Sequence, residues 1–216
     1  MKLYLSSYKL GDKTEELKRW IADHNNKICL IPNSRDVFPD GERKVTGIQA
    51  DVKDLEDLGF DVTVISLKDY FNRKEDLSKR LEKFNAFYVI GGNTFALRQA
   101  MYLSGFDKYL KSIEDKPDYL YAGYSAGICV LAKDMHGLEV CDDPSINPYG
   151  IETIWEGLGY FDYIFLPHYK SNHKETKLID DSVEYCNKNN IKYKTLRDGD
   201  VIIVDTCKSI EQEEER

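Results

Sequence analysis

The sequence has few cysteines and no long hydrophobic run, and each of these absences excludes a class of protein. Its five cysteines are scattered and form no C-x-x-C pair, which argues against a zinc site and against a disulfide framework. No apolar segment approaches the roughly 20 residues of a membrane-spanning helix. The formal net charge of -8 argues against a nucleic-acid surface. We therefore expect reduced thiols, no metal or cofactor, and neither nucleic-acid nor membrane partners.

The length and the hydrophobic content of the chain fit one globular α/β domain. The chain has 216 residues, of which 42% are hydrophobic, enough for a sizeable core. Residues 1–5 are typical of a strand, and the polar sequence that follows is not typical of a signal peptide. We expect one cytoplasmic domain over residues 1–216, with an acidic, solvated tail from about residue 209. The sequence carries no signal for an oligomeric state.

Short apolar segments alternate with amphipathic ones. Strand patterns cover residues 2–5, 27–31, 61–66, 87–90, 119–122, 164–166 and 201–204, and helical patterns cover 15–24, 41–58, 77–84 and 175–187. This alternation predicts a mainly parallel sheet with helices on both faces, where ligands bind at the carboxyl ends of strands. Residues 133–162 predict a long loop, or a loop plus hairpin, of the kind that shapes a pocket.

The run Gly123-Tyr124-Ser125-Ala126-Gly127 places a serine between a strand and a helix-like stretch. A Gly-x-Ser-x-Gly frame in this position is the pattern of a nucleophile elbow, in which the serine hydroxyl projects above the sheet. The same run also fits a glycine-rich turn with a capping serine. We take Ser125 as the candidate nucleophile.

An oxyanion hole needs two convergent backbone N–H groups. Ala126, directly after the serine, offers one, and Gly91 or Gly92 offers the other because glycine allows a close approach to a ligand. Asn93 also fits the N-cap of the next helix. The two interpretations of this segment are compatible.

Serine chemistry also needs a base, and the chain has four histidines. His168 follows the strand pattern 164–166, so we expect it at the sheet edge where Ser125 stands. His173 lies a few residues later, in a loop or at a helix start. A metal held by His168 and His173 lacks an evident third ligand.

The base needs a carboxylate that holds its tautomer. One candidate region, residues 138–143, contains Glu139, Asp142 and Asp143. The other is Asp198, in an Asp-Gly turn near the end of the chain. The residues alone do not choose between the two regions.

Three segments together resemble signature blocks of the peptidase E family of serine peptidases, family S51. They are residues 89–95, residues 123–127 and Pro167-His168-Tyr169. The resemblance implies a flavodoxin-like three-layer fold similar to class I glutamine amidotransferases. It implies Ser125 as nucleophile, His168 as base, and Ala126 with a glycine of the Gly91-Gly92 pair as oxyanion donors, of which we choose Gly91.

The resemblance also bears on the triad acid. In the family this acid lies between the serine and the histidine, a few residues before an Asp-Pro pair that Asp143-Pro144 matches here. Glu139 is the nearest acid to that position and is our choice, with Asp142 and Asp143 as competitors and Asp198 less favoured.

The family includes enzymes that cleave dipeptides with N-terminal aspartate, and the resemblance extends to the substrate side of the site. It suggests Asn93 and Lys177 as substrate-binding residues. Lys177 stands where the family has an arginine that faces the substrate carboxylate. Lysine keeps the charge but loses the bidentate fork, so we expect a weaker preference for aspartate.

The sequence thus predicts a serine peptidase that hydrolyses short peptides with an acidic or small N-terminal residue through an acyl-enzyme. Two alternatives stay open: an esterase or amidase of small molecules, and a non-catalytic binding module of the same fold.

Overall fold

A computed structural model describes residues 1–206 as strands and helices in regular alternation. The strands are β1 Lys2–Ser6, β2 Lys27–Ile31, β3 Asp61–Val64, β4 Ala86–Val89, β5 Leu120–Tyr124, β6 Ile164–Leu166, β7 Tyr193–Thr195 and β8 Val201–Asp205. The α-helices are α1 Thr14–Asp23, α2 Glu42–Asp57, α3 Lys74–Leu81, α4 Thr94–Ser104, α5 Phe106–Ile113, α6 Ala126–Cys129 and α7 Thr176–Asn189. Short 3₁₀ helices cover Asn33–Arg35, Leu67–Tyr70 and Leu138–Val140.

Within residues 1–206, six strands form one sheet in the order β3-β2-β4-β5-β1-β8. All neighbouring pairs are parallel except β1 and β8, which run antiparallel. Strands β6 and β7 form a separate parallel pair, in which Leu166 lies opposite Thr195. The predicted mainly parallel sheet is confirmed, and β5 leads to Ser125 from the middle of it.

Alternate side chains of each central strand pack on opposite faces of the sheet, as the two-residue period of a strand requires. In β1, Leu3 and Leu5 join a core that includes residues of α3 to α7, while Tyr4 joins a second core with α1 and α2. The protein therefore has three layers, with buried apolar surface on both sides of the sheet.

Residues 133–162 form the long, mostly irregular segment that the sequence predicts. Two isolated bridges, Ala132 with Phe161 and Asp134 with Glu156, close the segment on itself. Within this segment, residues Leu138–Val140 around Glu139 turn in a 3₁₀ helix.

Two further findings concern the ends and the helices. The expected acidic tail lies outside the described residues, and the single-domain boundary stays a prediction. None of the helices within residues 1–206 is long and apolar enough to cross a membrane.

Candidate active site

Ser125 occupies a strained turn between β5 and α6. Its φ of 50° and ψ of -118° lie in a region that residues with a side chain rarely adopt. The turn leaves Ser125 half-buried and facing a cleft. Among the described residues its hydroxyl makes no hydrogen bond, and the imidazole of His168 bonds Asp198. The turn has the geometry that the Gly-x-Ser-x-Gly frame predicts.

Close packing around the elbow explains its small residues. A Cβ on Gly127 would lie 2.2 Å from the carbonyl oxygen of Val89, and one on Gly91 would lie 2.7 Å from the ring of Tyr124. Strand β4 and its loop therefore press directly against the serine turn. The glycines are needed because any side chain there would push the two apart.

A buried ionic network lies behind the elbow and includes the residue before the serine. The hydroxyl of Tyr124 donates a hydrogen bond to Asp51 at 3.0 Å and accepts one from Nη2 of Arg35 at 2.7 Å. Arg35 and Lys9 each lie 2.7 Å from a carboxylate oxygen of Asp51, and Arg35 Nε also donates to the Gly91 carbonyl. This network joins the serine turn, the glycine loop and α2.

His168 stands beside the same cleft and is held by a carboxylate. Its Nδ1 lies 2.7 Å from Oδ1 of Asp198, and the imidazole is only 2% exposed. A carboxylate at Nδ1 keeps the proton on that nitrogen and leaves Nε2 as the acceptor. His168 follows β6 and Asp198 follows β7, so the parallel pairing of these strands brings the two residues to one edge.

Hydroxyl groups from three segments fix the positions of His168 and Asp198. The hydroxyl of Ser7 accepts a hydrogen bond from the backbone N–H of His168 at 2.9 Å and donates one to Oδ1 of Asp198 at 3.1 Å. Ser171 accepts the Asp198 N–H at 2.8 Å, and Thr176 lies 3.1 Å from the His168 carbonyl. Sequence reasoning missed Ser7, which is fully buried after β1 and far away in the chain.

The prediction that Glu139 contacts His168 is wrong. Its carboxylate instead accepts the N–H of Gly137 within its own 3₁₀ turn and interacts with Tyr185 of α7. Asp198 takes the position at Nδ1, although it follows the histidine in the chain. The choice of Glu139 rests on the family's order, in which the acid lies between the serine and the histidine, whereas the residues alone leave Asp198 open as a candidate.

The two remaining acid candidates also do not contact the Nδ1 of His168. Asp143 is exposed and bonds Ser145. Asp142 lies in the cleft wall, where its Oδ2 accepts the N–H of Thr94 at 2.8 Å. Burial raises the pKa of Asp142 to about 6, against the opposing hydrogen bond from Thr94. The cleft thus contains a carboxylate that ionises close to neutral pH.

The glycine loop and the elbow offer free backbone donors. Within residues 1–206, the N–H groups of Gly92 and Ala126 donate no hydrogen bond. The backbone N–H of Gly91 is directed at the phenol oxygen of Tyr124. Burial raises the pKa of Tyr124, and this contact opposes the rise. Gly92 therefore has the freer donor of the pair, whereas the sequence favoured Gly91.

His173 stacks face to face on His168. The ring centroids are 3.8 Å apart and the planes differ by 11°, while Tyr8 packs against both rings. The N–H of Glu175 donates to Nδ1 of His173, which makes that nitrogen an acceptor in a neutral ring. Burial, together with the neighbouring His168, lowers the pKa of His173.

His168, His173 and Glu175 are also close enough to be considered as metal ligands, with ligand atoms within 4.8 Å of one another. However, the two rings lie in nearly parallel planes, which match poorly the convergent donors that a tetrahedral ion needs.

The structure separates the two predicted substrate-binding residues. Asn93 lines the cleft, but its amide caps α4 by accepting the N–H of Ala96 and donates to the Asp143 carbonyl. Lys177 is exposed on the first turn of α7 and lies outside the cleft lining. Lys174 lines the cleft in its place.

Comparison with known proteins identifies the family of this chain. The family model of peptidase family S51 matches residues 4–210, nearly the whole chain. The chain belongs to peptidase family S51. This membership confirms the resemblance drawn from the three motifs and classes the chain as a serine-type peptidase.

Two S51 relatives are curated as uncharacterized peptidases of Listeria. Lin0382 from Listeria innocua serovar 6a is 30% identical over 144 residues, which cover 67% of this chain and 65% of the relative's length. Lmo0363 from Listeria monocytogenes serovar 1/2a is 30% identical over 168 residues, or 76% of each chain.

Solved structures show that this S51 member has the fold of known peptidases. A candidate peptidase E protein from Listeria monocytogenes EGD-e superimposes with a TM-score of 0.72 at 22% identity, covering 94% of this chain and 98% of the other. A peptidase from an acI-B1 actinobacterium gives a TM-score of 0.64 at 16% identity, with 94% and 82% coverage. The predicted three-layer fold is confirmed.

Proposed function

We propose that this S51 member hydrolyses short peptides with a free amino terminus through an acyl-enzyme on Ser125. The observation that carries the proposal is the 2.7 Å contact between Nδ1 of His168 and Asp198, beside the cleft that Ser125 faces. A serine on a strained elbow, a histidine and a half-buried carboxylate partner can form a catalytic triad regardless of their order in the chain.

The proposed reaction assigns each proton to an atom. Nε2 of His168 takes the proton of the Ser125 hydroxyl while Oγ bonds to the peptide carbonyl carbon. The N–H groups of Ala126 and Gly92 stabilise the oxyanion. His168 then gives its proton to the leaving amine as the peptide C–N bond breaks. In the second half of the reaction His168 deprotonates a water molecule that attacks the ester carbonyl, and it returns this proton to Oγ of Ser125 as the ester bond breaks. Asp198 stays ionised and stabilises the imidazolium.

The charges of the cleft support a zwitterionic peptide as substrate. Asp142 and Glu175 both line the cleft, and a carboxylate pairs well with a substrate ammonium group. We assign the amino terminus to Asp142, whose carboxylate is held in the cleft wall by the N–H of Thr94. Exposed Asp143 at the same wall adds negative charge.

A cation at the cleft supports an acidic or small N-terminal residue. Lys174 lines the cleft with its side chain largely exposed and lies 3.6 Å from a carboxylate oxygen of Glu175, whereas Lys9 and Arg35 each lie 2.7 Å from Asp51. A lysine attracts a substrate carboxylate as a point charge but selects its geometry weakly. We therefore propose a moderate preference for Asp-X over Ala-X, with Lys174 as its source.

The experiment has two arms. A fluorophosphonate probe should label the wild-type protein and not the Ser125→Ala variant, and a panel of dipeptides varied at the N-terminal residue should show turnover. Labelling together with turnover of simple esters or amides, but of no peptide, would favour the small-molecule esterase or amidase. Absence of labelling and of turnover would contradict the proposal.

A further inference from the structure

A second cavity adjoins the catalytic cleft and shares part of its wall. It encloses about 620 Å³, a size typical of sites for small ligands, about 300–1,000 Å³. The residues common to the cleft and the cavity are Tyr8, Lys9, Arg35, Phe38 and Lys174. Ser125, Asn93 and Asp142 line the cleft but not the second cavity. The second cavity therefore extends the site away from the wall where we place the substrate amino terminus.

The position of Tyr8 indicates which part of a substrate would enter. Its ring packs edge-on against His168, with 5.7 Å between ring centroids. The catalytic histidine delivers its proton to the leaving amine, so the leaving part of a peptide must pass close to His168. A substrate with its amino terminus at Asp142 would direct its leaving residue past Tyr8 and into the second cavity.

The shared wall combines two exposed aromatic side chains with the cations Lys9, Arg35 and Lys174. Tyr8 is 41% exposed and Phe38 is 47% exposed. Burial of such apolar surface against a ligand would contribute favourable binding free energy. Single exposed apolar residues are common on protein surfaces, but these two flank the entrance between the cleft and the second cavity. An aromatic or large aliphatic side chain of a substrate would cover both.

The far wall, on the first turns of α2, carries a free cation. Arg43 is exposed and makes no hydrogen bond or ion pair with any of residues 1–206. The other charged groups there are in part neutralised: Lys44 pairs with Asp40, and Glu42 is the remaining acid. A guanidinium without a protein partner suits the carboxylate at the end of a peptide.

We propose that the second cavity binds the leaving residue of the substrate, that this residue is aromatic or large aliphatic, and that its carboxylate faces Arg43. The proposal rests on the proposed function and deepens it, because it names the substrate class on the leaving side. Phe38 and Tyr8 select the side chain, and Arg43 selects a free carboxyl terminus.

Three peptides test the proposal: Asp-Phe, Asp-Gly and Asp-Phe amide. We expect wild-type kcat/KM for Asp-Phe to exceed that for Asp-Gly by about tenfold or more, as burial of an aromatic side chain predicts. Phe38→Ala should reduce this ratio several-fold, whereas Tyr102→Ala, which alters a similarly exposed aromatic residue of α4, should not. Arg43→Gln should reduce the preference for Asp-Phe over its amide, with Arg19→Gln of α1 as control.

A binding arm separates this proposal from the proposed function. Calorimetry on the Ser125→Ala variant measures the affinities for the three peptides without turnover. Equal affinity for Asp-Phe and Asp-Gly, or a ratio that Phe38→Ala leaves unchanged, would overturn the second-cavity proposal even if hydrolysis is observed. Selective binding without fluorophosphonate labelling of the wild type would support the subsite and contradict the peptidase mechanism.

Discussion

Nδ1 of His168 lies 2.7 Å from Oδ1 of Asp198, although 30 positions separate the two residues in the chain. The contact exists because β6 and β7 run parallel as neighbours and each residue follows the carboxyl end of its strand. In the triad that we propose, this contact gives the order serine, histidine, acid along the chain and places Asp198, rather than Glu139, beside the base.

Asp198→Ala should lower kcat by about 10⁴-fold, because the histidine loses the group that fixes its tautomer and stabilises its charged form. Glu139→Gln is the matched control and should leave kcat within about twofold, since Glu139 contacts Gly137 and Tyr185 instead. Steady-state kinetics and the rate of fluorophosphonate labelling both measure the effect. A large loss in Glu139→Gln with little loss in Asp198→Ala would contradict the assignment.

Ser7→Ala should lower kcat by about fivefold with little change in KM. The hydroxyl of Ser7 accepts a hydrogen bond from the backbone N–H of His168 and lies 3.1 Å from Oδ1 of Asp198. A buried hydrogen bond of this kind contributes about 1 kcal/mol. Ser112→Ala, whose hydroxyl bonds only its own helix, is the control. If Ser7→Ala changed thermal stability but not kcat, Ser7 would have a purely structural role. Ser7→Thr, which keeps a hydroxyl, should restore part of the activity.

Asp142→Asn should raise the melting temperature at pH 8 while it raises KM. The pKa of Asp142 is about 6 in the folded protein and 3.8 ordinarily, so the folded state binds its proton more tightly. Stability therefore falls as pH rises from 3.8 to 6, and the full cost of the ionised group is present above pH 6. Asparagine keeps an acceptor for the Thr94 N–H and removes that cost.

The pH dependence is the decisive part of the Asp142 prediction. The gain in melting temperature should shrink as the pH is lowered toward 4, where the wild-type carboxyl is mostly protonated. Asp143→Asn, at the exposed neighbouring position, should show no such gain. A gain that is the same at pH 4 and pH 8 would show that removal of the charge is not its cause.

His173→Phe should raise the melting temperature relative to the wild type more at pH 5 than at pH 8. Burial, followed by the neighbouring His168, lowers the pKa of His173 below its ordinary 6.5. The unfolded state then binds more protons below pH 6.5, so the stability contributed by neutral His173 is lost as the pH falls. The groups that face His173 are Tyr8, His168, Lys174, Glu175 and Asp198.

Kinetics distinguish the role of the His173 ring from that of its charge. Phenylalanine keeps a flat ring against His168, whereas His173→Ala removes the stack and should lower kcat/KM several-fold at pH 8. His136→Phe, which alters a histidine stacked on Trp155 outside the cleft, should leave kcat/KM unchanged. Equal activity of the phenylalanine and alanine variants would show that stacking does not position the base.

The sequence by itself determined the local elements and the two residues that depend on them. Apolar periodicity located β2 and β6 at their observed bounds and the other predicted strands and helices within a few residues, because strand and helix repeats are local properties. Ser125 followed from a turn that only small residues allow, and His168 from its place directly after a strand. Both lie at the carboxyl edge of the strands, as the parallel architecture requires.

Only the tertiary structure decided which groups surround these two residues. Asp198 reaches His168 because of which strand pairs with β6, and Ser7 reaches it across 161 positions. Lys177 lies outside the cleft because the first turn of α7 exposes it, although a matching motif suggested a substrate contact. Such contacts depend on strand order and helix orientation, which result from packing the whole core, and no local pattern of residues encodes them.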